Sequence, residues 1–513
     1  MKSISVDSEK LILTLQGIIV GVLTGIIVSS FRWSIGSLLK IFQGLFIQAR
    51  HNGWLIVGLL IFLVIVGLLV SMMLKKQPNI SGSGIPQVEA QLDGELELNW
   101  WSILWRKFVG GIMSIGPGLF LGREGPAIQL GASVGQGFGT VLKVDSGVSK
   151  RILIASGAAG GLAAAFNAPI AGSMFVLEEV YHNFSPMVWI TALASAVSSN
   201  LIALYVFGLT PVLNIPYKLS LPIKYYWHLL LLGIVLGLMG RVYQKVLLYM
   251  PSLYAKTKIP RHLQGMIPLI LLIPVGMTFP KFIGGGNDMI INLNNLKVGF
   301  WILIGLFALR FIFSMVSYGS GLPGGIFLPI LNLGAIIGAI YAVFMHQVGL
   351  LPLTFESNLI IFSMAGYFAC IGKAPFTAII LVTEMVGSLG HLMPLAVISL
   401  VAYIVVDMLN GAPIYESLKE KLNINDSYLN RVSHLTDRVE IPIFEGSSID
   451  GKYIRDIAFP KDILVIAIYR GESQIIPRGD TMIKAGDRIV MMVNAGKRSL
   501  LKRKLTELIN GID

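Results

Sequence analysis

Charge is what this chain has least of. Asp, Glu, Lys and Arg make up 13% of its 513 residues and 54% are hydrophobic, whereas soluble domains carry about a quarter charged residues. That balance excludes an ordinary soluble domain and makes lipid the solvent for most of the chain. Acid is scarcer than base, 28 residues against 40, for a formal charge of +12. The bases do not gather into the runs a nucleic-acid surface needs. They stand singly or in small groups between apolar stretches, as in Lys75-Lys76, Lys150-Arg151 and the trio Lys256, Lys258 and Arg261. Charged loops on the cytoplasmic side of a membrane account for them, so nucleic acid is not an expected partner. The single cysteine, Cys370, lies in an apolar run, cannot form an intrachain disulfide, and leaves the redox compartment open. The marks of an intramembrane protease are missing as well: there is no HExxH or GxGD run, and the segment around Ser83 is not GxSG. No enzymatic activity, catalytic residue, metal or cofactor is expected.

Long apolar runs are abundant. Lys2, Asp7, Glu9 and Lys10 precede a stretch at 11–45 broken by only a few polar residues, such as Arg32 and Lys40. This is far longer than a signal h-region, so no cleavable signal peptide is apparent; the stretch should remain as a membrane helix, long enough to lie tilted. Further apolar segments run at about 54–74, 101–121, 152–177, 187–207, 226–250, 266–279, 298–316, 326–344, 359–371, 378–386 and 393–408. Several are too short, or too broken by Gly and Pro, to cross about 30 Å of hydrocarbon alone. Broken helices are tolerated at that depth only where they are buried or line a cavity. A site inside the membrane is therefore expected.

The chain also repeats itself. Gly118-Leu119-Phe120-Leu121-Gly122-Arg123-Glu124-Gly125-Pro126 lies over Gly321-Leu322-Pro323-Gly324-Gly325-Ile326-Phe327-Leu328-Pro329 at an offset of 203, and Leu130-Gly131-Ala132 continues the match on Leu333-Gly334-Ala335. Ala168-Pro169 and Glu178 then match Ala374-Pro375 and Glu384 at an offset of 206. Two motif pairs at nearly one offset indicate duplicated halves, about 10–208 and 222–410. Repeats with interrupted helices at matching places point to a transport site between the halves.

Three segments share one design: Gly82-Ser83-Gly84-Ile85-Pro86, Gly122-Arg123-Glu124-Gly125-Pro126 and Gly324-Gly325-Ile326-Phe327-Leu328-Pro329. Glycines bring the backbone close, and a proline then opens a helix where no NH is required. Each presents free NH groups and the positive end of a helix dipole. Converging, they can hold a small anion partly dehydrated with no full positive charge beside it, so that binding stays weak enough for passage. The helix starts expected to line the anion path include Gly82, Gly84, Gly122, Arg123, Gly125 and Gly325.

These segments resemble the three signatures of the CLC chloride channels and proton-coupled antiporters, in the same order and spacing, over residues 10 to about 424. Tyr415, in Gly411-Ala412-Pro413-Ile414-Tyr415, matches a tyrosine near the end of that family's membrane domain. Gln87 and Gln129 depart from the Glu and His common in the family and should bear mainly on local packing. The resemblance implies that the Ser83 and Tyr415 hydroxyls and the Ile326 and Phe327 NH groups bind the central chloride. A hydroxyl donates a hydrogen bond without adding charge, and the resemblance, through serine at position 83 and the intact motifs, implies a preference for chloride over nitrate and fluoride.

Glu124 is the most informative residue, since a carboxylate at membrane depth is costly and usually functional. A helix start favours its anion and burial favours its acid, so both states are within reach. The resemblance makes it the external gate, which blocks an anion site when charged and swings away when protonated. Glu178 and Glu179 close an apolar helix and, on their own, read equally as interfacial charges or as a functional pair. The resemblance aligns Glu179 with the internal proton-transfer glutamate of antiporters, which favours exchange of chloride for protons. The alternative, a passive voltage- or ligand-gated chloride channel, shares every anion ligand. Glu384 has no role that can be read from sequence beyond a structural one.

After Asn410 the composition changes. A polar stretch at 419–437 leads into strand-like segments around Val439 to Ile443, Ile463 to Ile468 and Arg488 to Val493, separated by turns at Gly446, Gly471, Gly479 and Gly486, with a closing amphipathic helix at 498–508. This tail resembles the C-terminal subdomain of RCK proteins, which pair into dimers and in several cases bind small ligands, including cyclic di-AMP. The resemblance suggests a nucleotide site near Ile457, Ala458, Phe459, Pro460, Ile463 and Leu464. The expectation is an all-α polytopic membrane domain of two inverted repeats of broken, tilted helices (1–424), a linker (425–437) and a small cytoplasmic α+β domain (438–513). The protein should be a homodimer in the lipid of a bacterial cell membrane.

Overall fold

The computed structural model describes residues 8–144, 147–182, 184–213, 215, 220–293, 299–422, 436–460, 463–471, 473–494, 501, 504–505 and 508–509. The first half contains α1 (Ser8–Ala49), α2 (Gly53–Lys76), α3 (Ile85–Leu92), α4 (Trp100–Ile115), α5 (Glu124–Val141), α6 (Gly147–Phe166), α7 (Pro169–Phe175) and α8 (Pro186–Phe207). The second contains α9 (Trp227–Ala255), α10 (Met266–Thr278), α11 (Asn287–Asn292), α12 (Phe300–Gly319), α13 (Phe327–Gln347), α14 (Glu356–Gly372), α15 (Pro375–Val386) and α16 (Leu392–Met408), followed by α17 (Ile414–Lys419). The halves pair helix for helix: α3 and α11 begin 202 residues apart, α5 and α13 203, and α7 and α15, like α8 and α16, 206.

Among the described residues eight helices are long and apolar enough to cross a membrane. At 42 residues α1 is the longest; at about 1.5 Å per residue it spans roughly twice the hydrocarbon thickness and cannot stand upright within it. Burial separates the centre from the rim. The most apolar windows of α13 and of the span containing α14 are 83% and 94% buried, whereas the other spans are 33–44% buried. The exposed remainder is apolar, as at Leu15, Ile26, Phe62, Leu201 and Ile404, which suits lipid.

The apolar run at 152–177 reads as one segment in the sequence but folds as two helices. Proline restricts the residue before it to extended backbone, and Ala168, at φ −132° and ψ 78°, ends α6 before Pro169 opens α7. The break recurs at Ala374, at φ −118° and ψ 72°, before Pro375. Even the left-handed residue ahead of each break is repeated, Asn167 at φ 53° and Lys373 at φ 57°. The two central helices of the first half meet through glycine: a Cβ added at Gly131 or Gly157 would strike the other residue's carbonyl, the close backbone approach that packs helices in lipid.

The tail from Leu422 onwards belongs to a second compact unit, distinct from the one that holds most of the helices. Strands β1 (Thr436–Pro442), β2 (Ile463–Arg470), β3 (Ser473–Ile475) and β4 (Asp487–Asn494) make an antiparallel sheet in the order β1-β4-β2-β3. The short β3 was not visible in the sequence pattern. Ile441, Ile443, Ile468, Ile489, Met491 and Leu505 belong to its buried core. Most of the expected linker and much of the expected closing helix lie outside the described residues.

Candidate functional site

Three helix starts meet at one knot of backbone. The Gly324 NH donates to the Gly82 carbonyl at 2.9 Å, and Gly122 and Gly325 exchange two hydrogen bonds of 2.7 Å. Gly125 lies so near the first segment that a Cβ there would sit 2.7 Å from the Ser83 Cβ. The starts of α3, α5 and α13 are thus brought together, as their shared design predicts. Gly82 and Gly84 take φ of +63° and +88°, a region costly for residues with a Cβ.

Ser83 is buried, and its Oγ accepts a bond from the Ile85 NH at 3.3 Å. The Tyr318 hydroxyl, which the sequence did not single out, shares a hydrogen bond with Ser83. Tyr415 is fully buried, and its hydroxyl has no hydrogen-bond partner among the described residues. Its ring stands edge-on to Phe175 at 6.0 Å, and Phe175 stands edge-on to Phe327 at 5.7 Å. Phe327 packs in turn against Phe368 at 4.2 Å and Phe166 at 5.2 Å. This aromatic chain ties the start of α13, with Ile326 and Phe327 both buried, to Tyr415. The first NH groups of a helix have no acceptor within it. A hydroxyl without a protein partner among the described residues and such NH groups form a donor set suited to a small anion such as chloride.

Glu124 is fully buried. Its carboxylate reaches from α5 in the first half to the start of α13 in the second. A Cβ placed on Gly122 would run into Glu124 Oε2 while lying only 3.2 Å from the Leu328 nitrogen. Arg123 Nε is 3.8 Å from Glu124 Oε1. The carboxylate therefore sits at the anion-favouring end of α13.

The adjacent carboxylates Glu178 and Glu179 part company. Instead of ending as a simple helix, α7 passes into a π-helical turn at Val176–Val180, a feature frequent at functional sites. Glu179 is buried and within electrostatic range of Tyr415. Glu178 turns to the other half, where its Oε1 accepts from the Phe376 NH at 3.2 Å and its Oε2 from the Thr377 NH and hydroxyl at 2.8 and 2.7 Å. Glu384 does the reverse, accepting from the Ile170 and Ala171 NH groups at 3.1 and 2.8 Å. Each half caps a helix of the other, which gives Glu384 the role its sequence context withheld.

Two buried cations repeat the symmetry, and sequence reading missed both. Lys107 Nζ donates to the Ile80 and Gly82 carbonyls at 2.9 and 2.7 Å. Its mate 203 residues on, Arg310, donates from NH1 to the Gly284 carbonyl at 2.7 Å and from Nε to Asn332 Oδ1 at 2.9 Å. Their only signal was a positive charge inside an apolar run at repeat-related positions. Gln87 and Gln129 pack locally, donating to the Ser81 carbonyl at 3.1 Å and the Asn79 carbonyl at 2.9 Å.

In the tail, Ile457 lies in the core, and Phe459 and Ile463 pack against it. Ala458 and Leu464 are exposed, and Pro460 is half-buried. Only part of the suggested nucleotide site thus presents itself to a ligand on the surface of this unit.

The family profile described as "Voltage gated chloride channel" matches residues 66–407, and the TrkA-C domain profile matches 438–506. The H(+)/Cl(-) exchange transporter ClcA of Vibrio campbellii is 38% identical over 364 residues, covering 68% of this chain and 76% of that protein. Its counterpart in Salmonella paratyphi B is 31% identical over 431 residues, covering 80% and 89%. Among solved structures, a slow cyanobacterial Cl-/H+ antiporter matches with a TM-score of 0.75 and 31% identity over 80% of this chain and 97% of that one. A CLC-type fluoride/proton antiporter, at 22% identity and a TM-score of 0.66 over 79% of this chain and 97% of that one, shares the fold.

Proposed function

Because the chain belongs to the voltage-gated chloride channel family, the CLC proteins, we propose that it exchanges chloride for protons across the membrane. The observation that carries this reading is the position of Glu124. Its buried carboxylate, brought over Gly122 to the α13 amides, competes with an anion for the same helix end. Protonation removes the charge that holds it there, so proton uptake and anion passage become alternatives at one place. Chloride is taken at Ser83, Tyr415, Ile326 and Phe327. Glu179, on the π-turn within electrostatic range of Tyr415, relays the proton on the other side.

Reconstitution into liposomes tests this. A chloride gradient should drive protons uphill through the wild type, and Glu124→Gln and Glu179→Gln should each abolish proton movement while chloride still passes. Chloride flux with no proton movement in the wild type makes the protein a channel and leaves Glu179 a structural charge.

The protein is a multi-pass membrane protein, which we place in the bacterial cell membrane as a homodimer with the tail in the cytoplasm. The TrkA-C match supports a regulatory tail. Cyclic di-AMP is the ligand to try first, at the exposed Ala458 and Leu464 beside Pro460. Titration of the full-length protein with this nucleotide, read by calorimetry, gives heat if the site exists and none if the tail serves only to pair subunits.

A further inference from the structure

The Tyr415 hydroxyl has no hydrogen-bond partner among the described residues, and its ring meets Phe175 edge-on. A ring-edge contact carries no hydrogen bond, so the depth of the hydroxyl in the anion path is set by the backbone that bears it. That backbone is the turn from α16 into α17. Asn410 takes a left-handed φ of 53°, and the Gly411 NH returns to the Val406 carbonyl of α16 at 2.9 Å. The next carbonyl, that of Ala412, accepts from Gln244 Nε2 of α9 at 2.9 Å. Glycine is needed at 411 for this approach, since a Cβ there would run into Val406 and stand 2.8 Å from Gln244 Oε1.

Gln244 is 1% exposed, and its amide is fully engaged. The second Nε2 hydrogen goes to the Ile371 carbonyl at 3.0 Å, with the Cys370 carbonyl at 3.5 Å. Both belong to the last turn of α14, where carbonyls have no NH ahead of them. Oε1 accepts from Arg241 NH1 at 3.2 Å. A reversed amide would set Nε2 against the guanidinium and Oε1 against carbonyl oxygens, so this network fixes which end donates.

The repeat shows which of these bonds is the addition. In the first half, Arg32 of α1 donates to the Ala164 carbonyl at 3.3 Å, 206 residues before Cys370, and to Asn167 Oδ1 at 2.8 Å. Each half thus closes the helix ahead of its proline break with a side chain from its own first helix. The described hydrogen bonds of Arg32 stop at that helix end, whereas Gln244 reaches beyond it to Ala412, three residues ahead of Tyr415. Between them stand Pro413, at φ −53°, and the first helical residue Ile414. Proline fixes its own φ, so a shift of the Ala412 carbonyl is carried to Tyr415 rather than absorbed on the way.

We propose that Gln244 is a positioning residue for the central chloride: by holding the Ala412 carbonyl to the end of α14, it sets the Tyr415 hydroxyl where that hydroxyl meets the anion. Its own donors are spent on carbonyls, so it acts through Tyr415 alone. The proposal rests on Tyr415 being a chloride ligand, and holds for exchange and for passive flow alike.

A double-mutant cycle in chloride affinity is the measurement, made by calorimetry on the full-length protein, with thermal unfolding of the same samples. Gln244→Leu and Tyr415→Phe should each bind chloride severalfold more weakly than wild type, Gln244→Leu by no more than Tyr415→Phe. The double variant should bind as Tyr415→Phe does, because the position of the hydroxyl ceases to matter once it is gone. Gln244→Asn keeps the amide but is one methylene shorter, and should show a smaller loss that also vanishes in the Tyr415→Phe background; it carries the test if the Leu variant does not fold. The unfolding temperature should fall equally for Gln244→Leu in both backgrounds, as for any lost hydrogen bond, so only the affinity cycle reports positioning. A loss of affinity as large in the Tyr415→Phe background as in wild type would overturn the proposal, and so would unchanged affinity in the Gln244 variants while Tyr415→Phe is impaired. If Tyr415→Phe itself binds chloride as wild type does, the assignment of Tyr415 as a ligand falls, and the proposal with it.

Discussion

Gly122 and Gly325, repeat mates 203 residues apart, hydrogen-bond to each other twice, each NH giving to the other's carbonyl at 2.7 Å. A duplicated residue that pairs with its own copy lies beside a local two-fold axis. The same relation reappears where Glu178 caps α15 and Glu384 caps α7. The halves are thus joined through equivalent atoms, and the Glu124 carboxylate lies beside that join.

Gly122→Ala should uncouple the gate. Its Cβ would displace the Glu124 carboxylate from the α13 amides, so chloride flux should continue while proton movement per chloride falls severalfold. Paired chloride and proton fluxes in liposomes check this; unchanged coupling would show that the carboxylate does not work from this position.

Tyr415→Phe removes a hydroxyl with no protein partner. The fold should lose nothing measurable, whereas chloride should bind about two- to twelvefold more weakly, as expected for one hydrogen bond of roughly 0.5–1.5 kcal/mol. Thermal unfolding and chloride calorimetry on the same sample separate the two effects.

Glu178→Ala and Glu384→Ala should each lower stability by about 1–2 kcal/mol, the usual cost of a lost cap. Because the caps are exchanged between the halves, the double variant should depart from additivity. A double-mutant cycle in detergent measures this, and strict additivity would mean that the two caps act independently.

Lys107→Met takes the Nζ donor from the Ile80 carbonyl and leaves the Gly82 carbonyl with the Gly324 NH alone. A loss of about 1–3 kcal/mol is expected, together with weaker chloride binding, because the Gly82 backbone carries Ser83. Arg310→Met should cost stability similarly without touching the central chloride affinity.

The tail should have its own acid sensitivity. Burial would push Asp487 up, but hydrogen bonds from Arg470 at 2.8 and 2.7 Å and from the Lys484 NH at 2.8 Å outweigh it and hold its carboxyl below the ordinary value of 3.8. A carboxylate stabilised in this way contributes fully above its unfolded pKa, and the contribution is lost as pH falls through the folded one. The protection factors of the β4 amides in the full-length protein, taken against the intrinsic exchange rate at each pH, should therefore be steady between pH 7 and 5 and fall below about pH 4. Asp487→Asn should raise exchange throughout and flatten that dependence.

Much of the candidate site's backbone was legible because backbone chemistry leaves sequence marks. Glycines that permit left-handed turns and prolines that open helices had to appear in order, and the offset of 203 disclosed the duplication. Lys107 and Arg310 were passed over because a base in an apolar run looks the same whether it snorkels to water or fastens a buried loop. The run at 152–177 hid its break because one Asn-Ala-Pro step carries little weight amid small apolar residues.

By itself the sequence determined that this chain lives in lipid, is built twice over, and gathers helix starts fit for an anion, since those properties reside in composition and local backbone preference. Which carboxylate faces which helix was decided only by the tertiary structure. Glu178 and Glu179 are neighbours in the chain, yet one caps the opposite half and the other is buried within electrostatic range of Tyr415. A π-turn and a helix from 200 residues away set that division, because the direction of a side chain depends on what packs around it.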